Sequence, residues 1–473
     1  MIKFIPLHRV ALGVLTAALV ACDPGTSAPT PLPVVPDVIA DGGSCPEPTG
    51  PGTQHSTSVT TNEVWTAAES PHFVTTSIDV VADLTLEPCA LVVLSRGVGM
   101  TVDGTLTAQG ELIDLTPSDD SDDAFDIRPV VFTSTSDDPA DNWGTLTVEP
   151  LGRVNLEVTA LIHAAHPDAA QNGGGALLVR GTNDSTVTKS VRAVLLFVLE
   201  SGGYGVNLQV GGAFTDDSLG VLVEGAATNP VFTFLPGIGS IPEGFYTGNG
   251  TDEILIDTRL PIESDETFRN RGVPYAFDSA SAYVAPANPG DPAVTLTVEA
   301  GVTVKMRGNL YFGDAGGTLN ERQARLVAQG TAAQPITFTS AEVAPEKGDW
   351  GSLYFEAIAP TGNALEHAVI EYAGGDSQTS SYGCGALDND GALLFVGNRP
   401  AEAFVTSTTF RHNAGETTIV SGWVSDETGP DFVTGNVFTD TAGVEGQASC
   451  IQSLWRTTDT LYCPDTMEPD CFQ

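Results

Sequence analysis

Leu326-Val-Ala-Gln-Gly-Thr331, Pro335-Ile-Thr-Phe-Thr-Ser340 and Asp349-Trp-Gly-Ser-Leu353 follow one another within one stretch of the chain. The same blocks occur earlier in the same order, as Leu106-Thr-Ala-Gln-Gly110, Val131-Phe-Thr-Ser134 and Asn142-Trp-Gly-Thr-Leu146. The likeness extends in both directions. Leu84-Thr-Leu-Glu-Pro88 precedes the first set as Leu296-Thr-Val-Glu-Ala300 precedes the second. Downstream, Leu156-Glu-Val-Thr-Ala-Leu161 matches Leu365-Glu-His-Ala-Val-Ile370 without a gap, and Ala213-Phe-Thr-Asp216 matches Val437-Phe-Thr-Asp440. Ordered matches of this kind mark an internal repeat, and a repeat decides the architecture before any single motif does.

Each block is a short alternating apolar run ended by Gly, Asn or Asp, and the runs recur at roughly twenty to thirty residues, as the coils of a β-solenoid do. One coil cannot bury its inward face alone. Stacked at the strand spacing of about 4.8 Å, successive coils bury a continuous core of Val, Leu, Ile and Phe. Val302, Val304 and Met306 are expected to alternate inward, Gly301 and Gly330 to occupy corners with positive φ, and Trp143 and Trp350 to cover the coil that follows each. Short strands at regular spacing also suit an array of β-sandwiches, which leaves strand direction as the discriminating observation.

The order Pro274-Tyr275, Leu296 to Gly301, Leu326 to Thr331, Pro335 to Ser340, Trp350 to Leu353 and Leu365 to Gly374 resembles the right-handed parallel β-helix repeat proteins found on many bacterial surfaces. The resemblance spans roughly residues 65 to 450. Its motifs specify coil geometry and carry no chemistry. The first copy departs from the pattern at Pro88-Cys89, where the second has Ala300-Gly301, and in the acidic insertion from Glu111 to Arg128. His367 belongs to the repeat pattern, which implies a structural role for it and for Tyr372 on the same strand.

The chain start reads as an export signal. Lys3 and Arg9 precede an apolar run, Val10 to Val20, too short to span a bilayer comfortably. Leu19-Val20-Ala21-Cys22 resembles the bacterial lipobox, which implies lipidation of Cys22 and anchorage through acyl chains alone. Asp23 resembles an inner-membrane retention signal of enteric bacteria, a rule that does not transfer between bacterial groups; an outer-membrane or cell-surface location in the envelope is expected. The organisation is therefore a signal peptide over 1–21, a Pro/Thr/Ser-rich disordered tether over 22–60, β-helix units over 61–262 and 263–449, and a cysteine-containing cap over 450–473.

Sixty acidic and nineteen basic residues give a net charge of −41, which argues against nucleic acid or an anionic membrane surface as partner because both repel such a field. With Cys22 lipidated, Cys45, Cys89, Cys384, Cys450, Cys463 and Cys471 remain, an even set suited to disulfides in an oxidising compartment. Six cysteines allow fifteen pairings, and no pair is assigned. No CxxC motif points to zinc.

Chemistry is harder to find. A lyase needs a base, and Arg269-Asn-Arg271 is the one close arginine pair, expected to pair with Asp265 and Glu266 in solvent. His163, His166 and Asp168 share a turn ahead of and beyond Pro167. Asp119, Asp120, Asp122, Asp123 and Asp126 crowd one loop and are the candidate Ca²⁺ ligands, with Asp388-Asn389-Asp390-Gly391 as a lesser cluster; neither has EF-hand spacing. No Gly-x-Ser-x-Gly elbow is present. Three readings follow: a non-enzymatic envelope lipoprotein that displays a rod for binding glycan or protein; an extracellular polysaccharide lyase or hydrolase of β-helix type; and a purely structural envelope component.

Overall fold

The computed structural model describes residues 44–441 apart from 115–124, 167–173, 183–185, 280, 315–321, 377–389, 398–399, 415–417 and 424–429, together with short strands between 451 and 462. Strand direction settles the architecture. The coils pair in parallel from Thr53–His55 onward; the antiparallel strand pairs, Glu111–Asp114 with Phe125–Arg128 and Trp455–Thr457 with Thr460–Tyr462, are short hairpins. A sandwich is built from antiparallel strands, so the chain is a right-handed parallel β-helix. Its backbone is a 13-stranded sheet from Ile78–Val80 to Val437–Thr439. At strand spacing this makes a rod about 60 Å long.

The inward alternation holds: Val302, Val304 and Met306 are buried, as are Phe132 and Phe338 at equivalent places in the two copies. In the second half the core carries a stack of rings, Phe312, Phe355, Phe395 and Phe432, with centroids 4.9, 5.0 and 5.2 Å apart. Trp143 and Trp350 are buried, and each indole donates across to the next coil, to the Ile162 and the Glu371 carbonyl, both at 2.8 Å. Ile162 and Glu371 are themselves equivalent positions, so the two copies reproduce one packing device.

Corners explain residues that look functional in the sequence. Positive φ recurs in pairs five residues apart: Val158 and His163, Leu195 and Glu200, Gly220 and Gly225, then His367 and Tyr372, Ser407 and His412, Gly435 and Asp440. At the first of these the long strand Arg153–Ile162 turns, its first half pairing with Thr105–Gln109 and its second with Val130–Ser134. His367 and Tyr372 thus occupy bends that the coil geometry requires. Gly301 has φ +80° as expected, and Cys89, its counterpart in the first copy, takes φ +68°. Gly330 does not have positive φ. What requires glycine there is crowding, because a Cβ would lie 2.6 Å from the His367 carbonyl oxygen.

Three boundaries and roles differ from the sequence reading. The expected tether over 22–60 runs too far: Thr53–His55 is the first strand, Val59 bridges to Val80, and Cys45 is bonded to Cys89. Thr53 and His55 supply the alternation, and the His55 ring stacks on Trp65 at 3.8 Å, which gives this segment the packing that a tether lacks. Second, the 13-stranded sheet passes through the 262/263 boundary unbroken, so the two sequence copies form one stack. Third, Arg269 and Arg271 are not chiefly surface ion pairs. Arg271 donates from Nε and Nη2 to the Ile241 carbonyl at 2.9 and 2.7 Å, and Arg269 from Nε to Gly239 at 3.0 Å, although Arg269 also lies 3.8 Å from Glu299. Glu266 accepts from the Gly237 and Gly239 amides. These side chains satisfy the backbone of the short turn Ile238–Ser240, which has no strand partner to do so.

The first coil contains a coupled pair of imidazoles. His55 Nε2 lies 3.1 Å from His72 Nδ1, and His72 is buried with its other nitrogen 2.9 Å from the Thr66 carbonyl. Burial first, and for His55 then the neighbouring imidazole, holds both below their ordinary value of 6.5, against the opposing pull of Glu63 and Glu69. The neutral pair therefore supports the fold fully above about pH 6.5, and that support is withdrawn as the pH falls from there through the lowered folded-state values. Urea midpoints are expected to drop between pH 7 and 5, and His55→Phe, which keeps a ring against Trp65, should flatten part of that drop. An unchanged slope in the variant would show that other groups carry the pH dependence.

Candidate functional site

The two copies do not place equivalent strands on the same face. Val130–Ser134 lies in a 12-stranded sheet, whereas its counterpart Ile336–Ser340 lies in the 13-stranded one; Leu146–Val148 lies in the 13-stranded sheet, and its counterpart Leu353–Phe355 in a six-stranded sheet. The change occurs in one coil. Gly244–Phe245 closes the 12-stranded sheet, Ile254–Asp257 continues the long sheet, Ile262 makes a single bridge to Val284, and Glu266–Phe268 begins a five-stranded sheet. This coil thus has an additional side, and the six-stranded sheet starts there with Ala282–Val284 as its edge strand.

Tyr283 sits at the outward position of that edge strand and is 46% exposed. Parallel register aligns it with Tyr311 and then Tyr354. The Tyr283 and Tyr311 rings stack with centroids 4.5 Å apart and planes within 5°, and Tyr311 lies 4.8 Å from Tyr354 at 47°. Tyr354 is buried at 2% exposure. One face of Tyr283 is covered by Tyr311; on its other side the preceding coil contributes a lone bridge whose register sets Pro261 alongside. The ladder therefore ends in a ledge with an aromatic ring.

The corner beside this ledge carries charge. Asp257, 3% exposed, accepts from Arg259 Nε at 2.9 and 2.7 Å through its two oxygens, and the Arg259 guanidinium stands 5.7 Å from the centre of the Phe234 ring. Asp278 occupies the next coil at the same corner. Burial, followed by the Asp257 charge, raises its carboxyl above the ordinary carboxylate range. Thr258 and Ser279 hydroxyls bond across the two coils at 2.6 Å. One coil further, Arg307 donates to the Phe277 carbonyl at 3.1 Å and pairs with Glu342, while Asn309 donates to the Tyr311 hydroxyl at 3.0 Å. Tyr204 and Phe232, 5.1 Å apart, extend the aromatic surface along the long sheet, and burial with the Asp278 charge raises the Tyr204 phenol. Beyond Val284 an open depression of about 330 Å³ is lined by Glu263, Asp265, Pro286, Asp291 and Pro292 among others.

Ring faces, amide and guanidinium donors, and carboxylate acceptors together suit a hydroxyl-bearing ligand. No arginine of this corner is poised as a base: Arg259 is held by Asp257, and Arg307 by a carbonyl and Glu342.

The residues singled out by sequence reasoning lie elsewhere. His166 Nε2 accepts from Arg96 Nε at 3.0 Å in a buried setting, and His163 is a corner residue lowered in pKa by burial; Asp168 lies outside the described residues. Asp119, Asp120, Asp122, Asp123, Asp388 and Asn389 also lie outside them. Asp126 falls on the strand Phe125–Arg128, which pairs antiparallel with Glu111–Asp114 as a hairpin off the coil. Among the described residues no three His, Cys, Asp or Glu side chains converge as a metal site. Cys22, Cys384, Cys450, Cys463 and Cys471 lie outside the described residues, and Cys45 with Cys89 forms a disulfide. The Tyr ladder was legible but missed: Ala282-Tyr-Val284, Leu310-Tyr-Phe312 and Leu353-Tyr-Phe355 each put Tyr between two inward residues.

Residues 290–397 match the family described as a pectate-lyase like beta helix domain. That window holds Arg307, Tyr311 and Tyr354 but not Asp257, Asp278 or Tyr283. No curated protein and no solved structure matches the chain.

Proposed function

We propose that this β-helix is a cell-envelope lipoprotein, acylated at Cys22 and displayed on the outer membrane or cell surface, whose rod binds extracellular glycan without cleaving it. The observation that carries the reading is the exposed Tyr283 ring at the end of the tyrosine ladder, beside a corner rich in hydrogen-bonding groups. Concave or stepped apolar surface with a few convergent polar groups is where small hydroxylated ligands are held, and an amphipathic Tyr supplies both characters. The engaged state of Arg259 and Arg307 supports binding over lyase chemistry, which needs a group free to take a proton.

A second reading, hydrolysis, draws on the pectate-lyase-like match and on Asp278, a carboxyl raised above its ordinary range by burial and then by the buried Asp257. Affinity electrophoresis and product analysis on a panel of neutral and acidic polysaccharides separate the two. Retardation without new reducing ends or ultraviolet-absorbing unsaturated ends is expected. Product formation that Asp278→Asn abolishes would replace binding by catalysis. Mass spectrometry of the mature protein should find an acylated Cys22 at the N-terminus, and a mature chain starting elsewhere would remove the anchor from the proposal.

A further inference from the structure

We infer that the ledge at Tyr283 takes a neutral sugar rather than a uronate, with one pyranose ring laid against the exposed part of the Tyr283 ring. This rests on the glycan-binding reading above and names its ligand class. The case starts from the ring. Tyr283 is the edge member of its stack: Tyr311 covers one face at 4.5 Å, the bridge register sets Pro261 alongside on the other side, and the residue is still 46% exposed. The electron-rich face of an aromatic ring attracts groups with partial positive charge, and the C–H face of a pyranose is such a surface. Next come the polar partners. Asp278 and Asp257 stand at one corner and Glu263, Asp265 and Asp291 line the depression at the other. Carboxylates accept hydrogen bonds from hydroxyl groups, which a neutral sugar offers on every side.

Charge then selects between sugars. The two arginines of this corner each already pair with a carboxylate, Arg259 with Asp257 and Arg307 with Glu342, so an incoming anion would compete with those carboxylates even at Arg259, which stays 74% exposed. A uronate carboxylate would meet an acidic rim on a chain of net charge −41. Like charge at a binding surface slows encounter and weakens the complex, and salt screens both effects.

The test uses the full mature chain, calorimetric titration, and oligomers of glucose, mannose and xylose against oligogalacturonate and alginate oligomers of equal length. At least one neutral oligomer is expected to bind, and to bind about tenfold better than either acidic one, with the gap narrowing as salt is raised. Tyr283→Ala should weaken that binding by about tenfold or more, while Tyr283→Trp, which keeps a ring at the ledge, should preserve it. The exposed position allows both variants to fold, checked by an unchanged circular dichroism spectrum. Tightest binding of an acidic oligomer that is lost in Tyr283→Ala would overturn the ligand class and leave glycan binding at this ledge standing. Glycan binding that ignores Tyr283→Ala would overturn the site, and no binding by any oligomer would overturn both the inference and the reading beneath it.

Discussion

Trp350→Ala is expected to destabilise the coils around it by about 3–5 kcal/mol, the range for removing a fully buried indole. The side chain is 1% exposed, and its Nε1–H donates to the Glu371 carbonyl one coil further on at 2.8 Å. Alanine therefore removes core volume and also leaves a buried acceptor without this donor, a separate cost of about 1–3 kcal/mol when nothing replaces it. Because a solenoid is stabilised between neighbouring coils, the loss should be local before it is global. Amide exchange is the suitable readout: protection should fall most in Ile336–Ser340 and Ala368–Glu371, which pair with each other on this part of the long sheet. Trp350→Phe fills more of the space and should recover part of the loss. A change below about 1 kcal/mol in Trp350→Ala would show that the neighbouring coil does not depend on the indole.

Cys45→Ser should cost a comparable amount at the other end of the rod. The Cys45–Cys89 bond closes a loop of 44 residues, for which chain entropy gives about 4 kcal/mol. A second contribution comes from backbone conformation. Cys89 sits at φ +68°, in the place where the second copy has Gly301 at φ +80°. An L-residue held left-handed is disfavoured by about 1–2 kcal/mol relative to glycine, and in the first copy Cys89 is tied by the disulfide and by its N–H donating to the Pro129 carbonyl at 3.1 Å. The double variant Cys45→Ser with Cys89→Gly should therefore be more stable than Cys45→Ser alone by about 1 kcal/mol. Thermal unfolding of the three proteins checks both parts. Equal stability of the double and single variants would remove backbone strain from the account, and a Cys45→Ser protein as stable as the parent would remove the disulfide.

Much of the site was out of reach of the sequence for a physical reason. Tyr283, Asp257 and Asp278 matter through partners on other coils: Tyr283 through Tyr311, and Asp278 through Asp257. Those partners are separated in sequence by a coil whose length varies with its loops, so their register is set by which strands pair. Arg269 and Arg271 make the same point. Their acidic neighbours in sequence suggested ion pairs, whereas the nearest unsatisfied groups in space are the carbonyls of Gly239 and Ile241 in the preceding coil. The Tyr triplets were readable, since a solenoid strand that alternates inward, outward, inward exposes its central residue.

By itself the sequence determined the repeating coil. Its alternating Val, Leu, Ile and Phe positions, the Trp that covers the next coil, and the glycine at residue 301 all follow from local periodicity and backbone sterics, and these are properties of a single unit. Only the tertiary structure decided how the two units meet. The coil between Gly244–Phe245 and Ala282–Val284 gains a side, and the second copy is thereby shifted one face around the rod. That shift creates the sheet edge on which Tyr283 is exposed. Which face a strand occupies depends on the turns accumulated along the whole preceding chain, and no pattern inside one repeat records that sum.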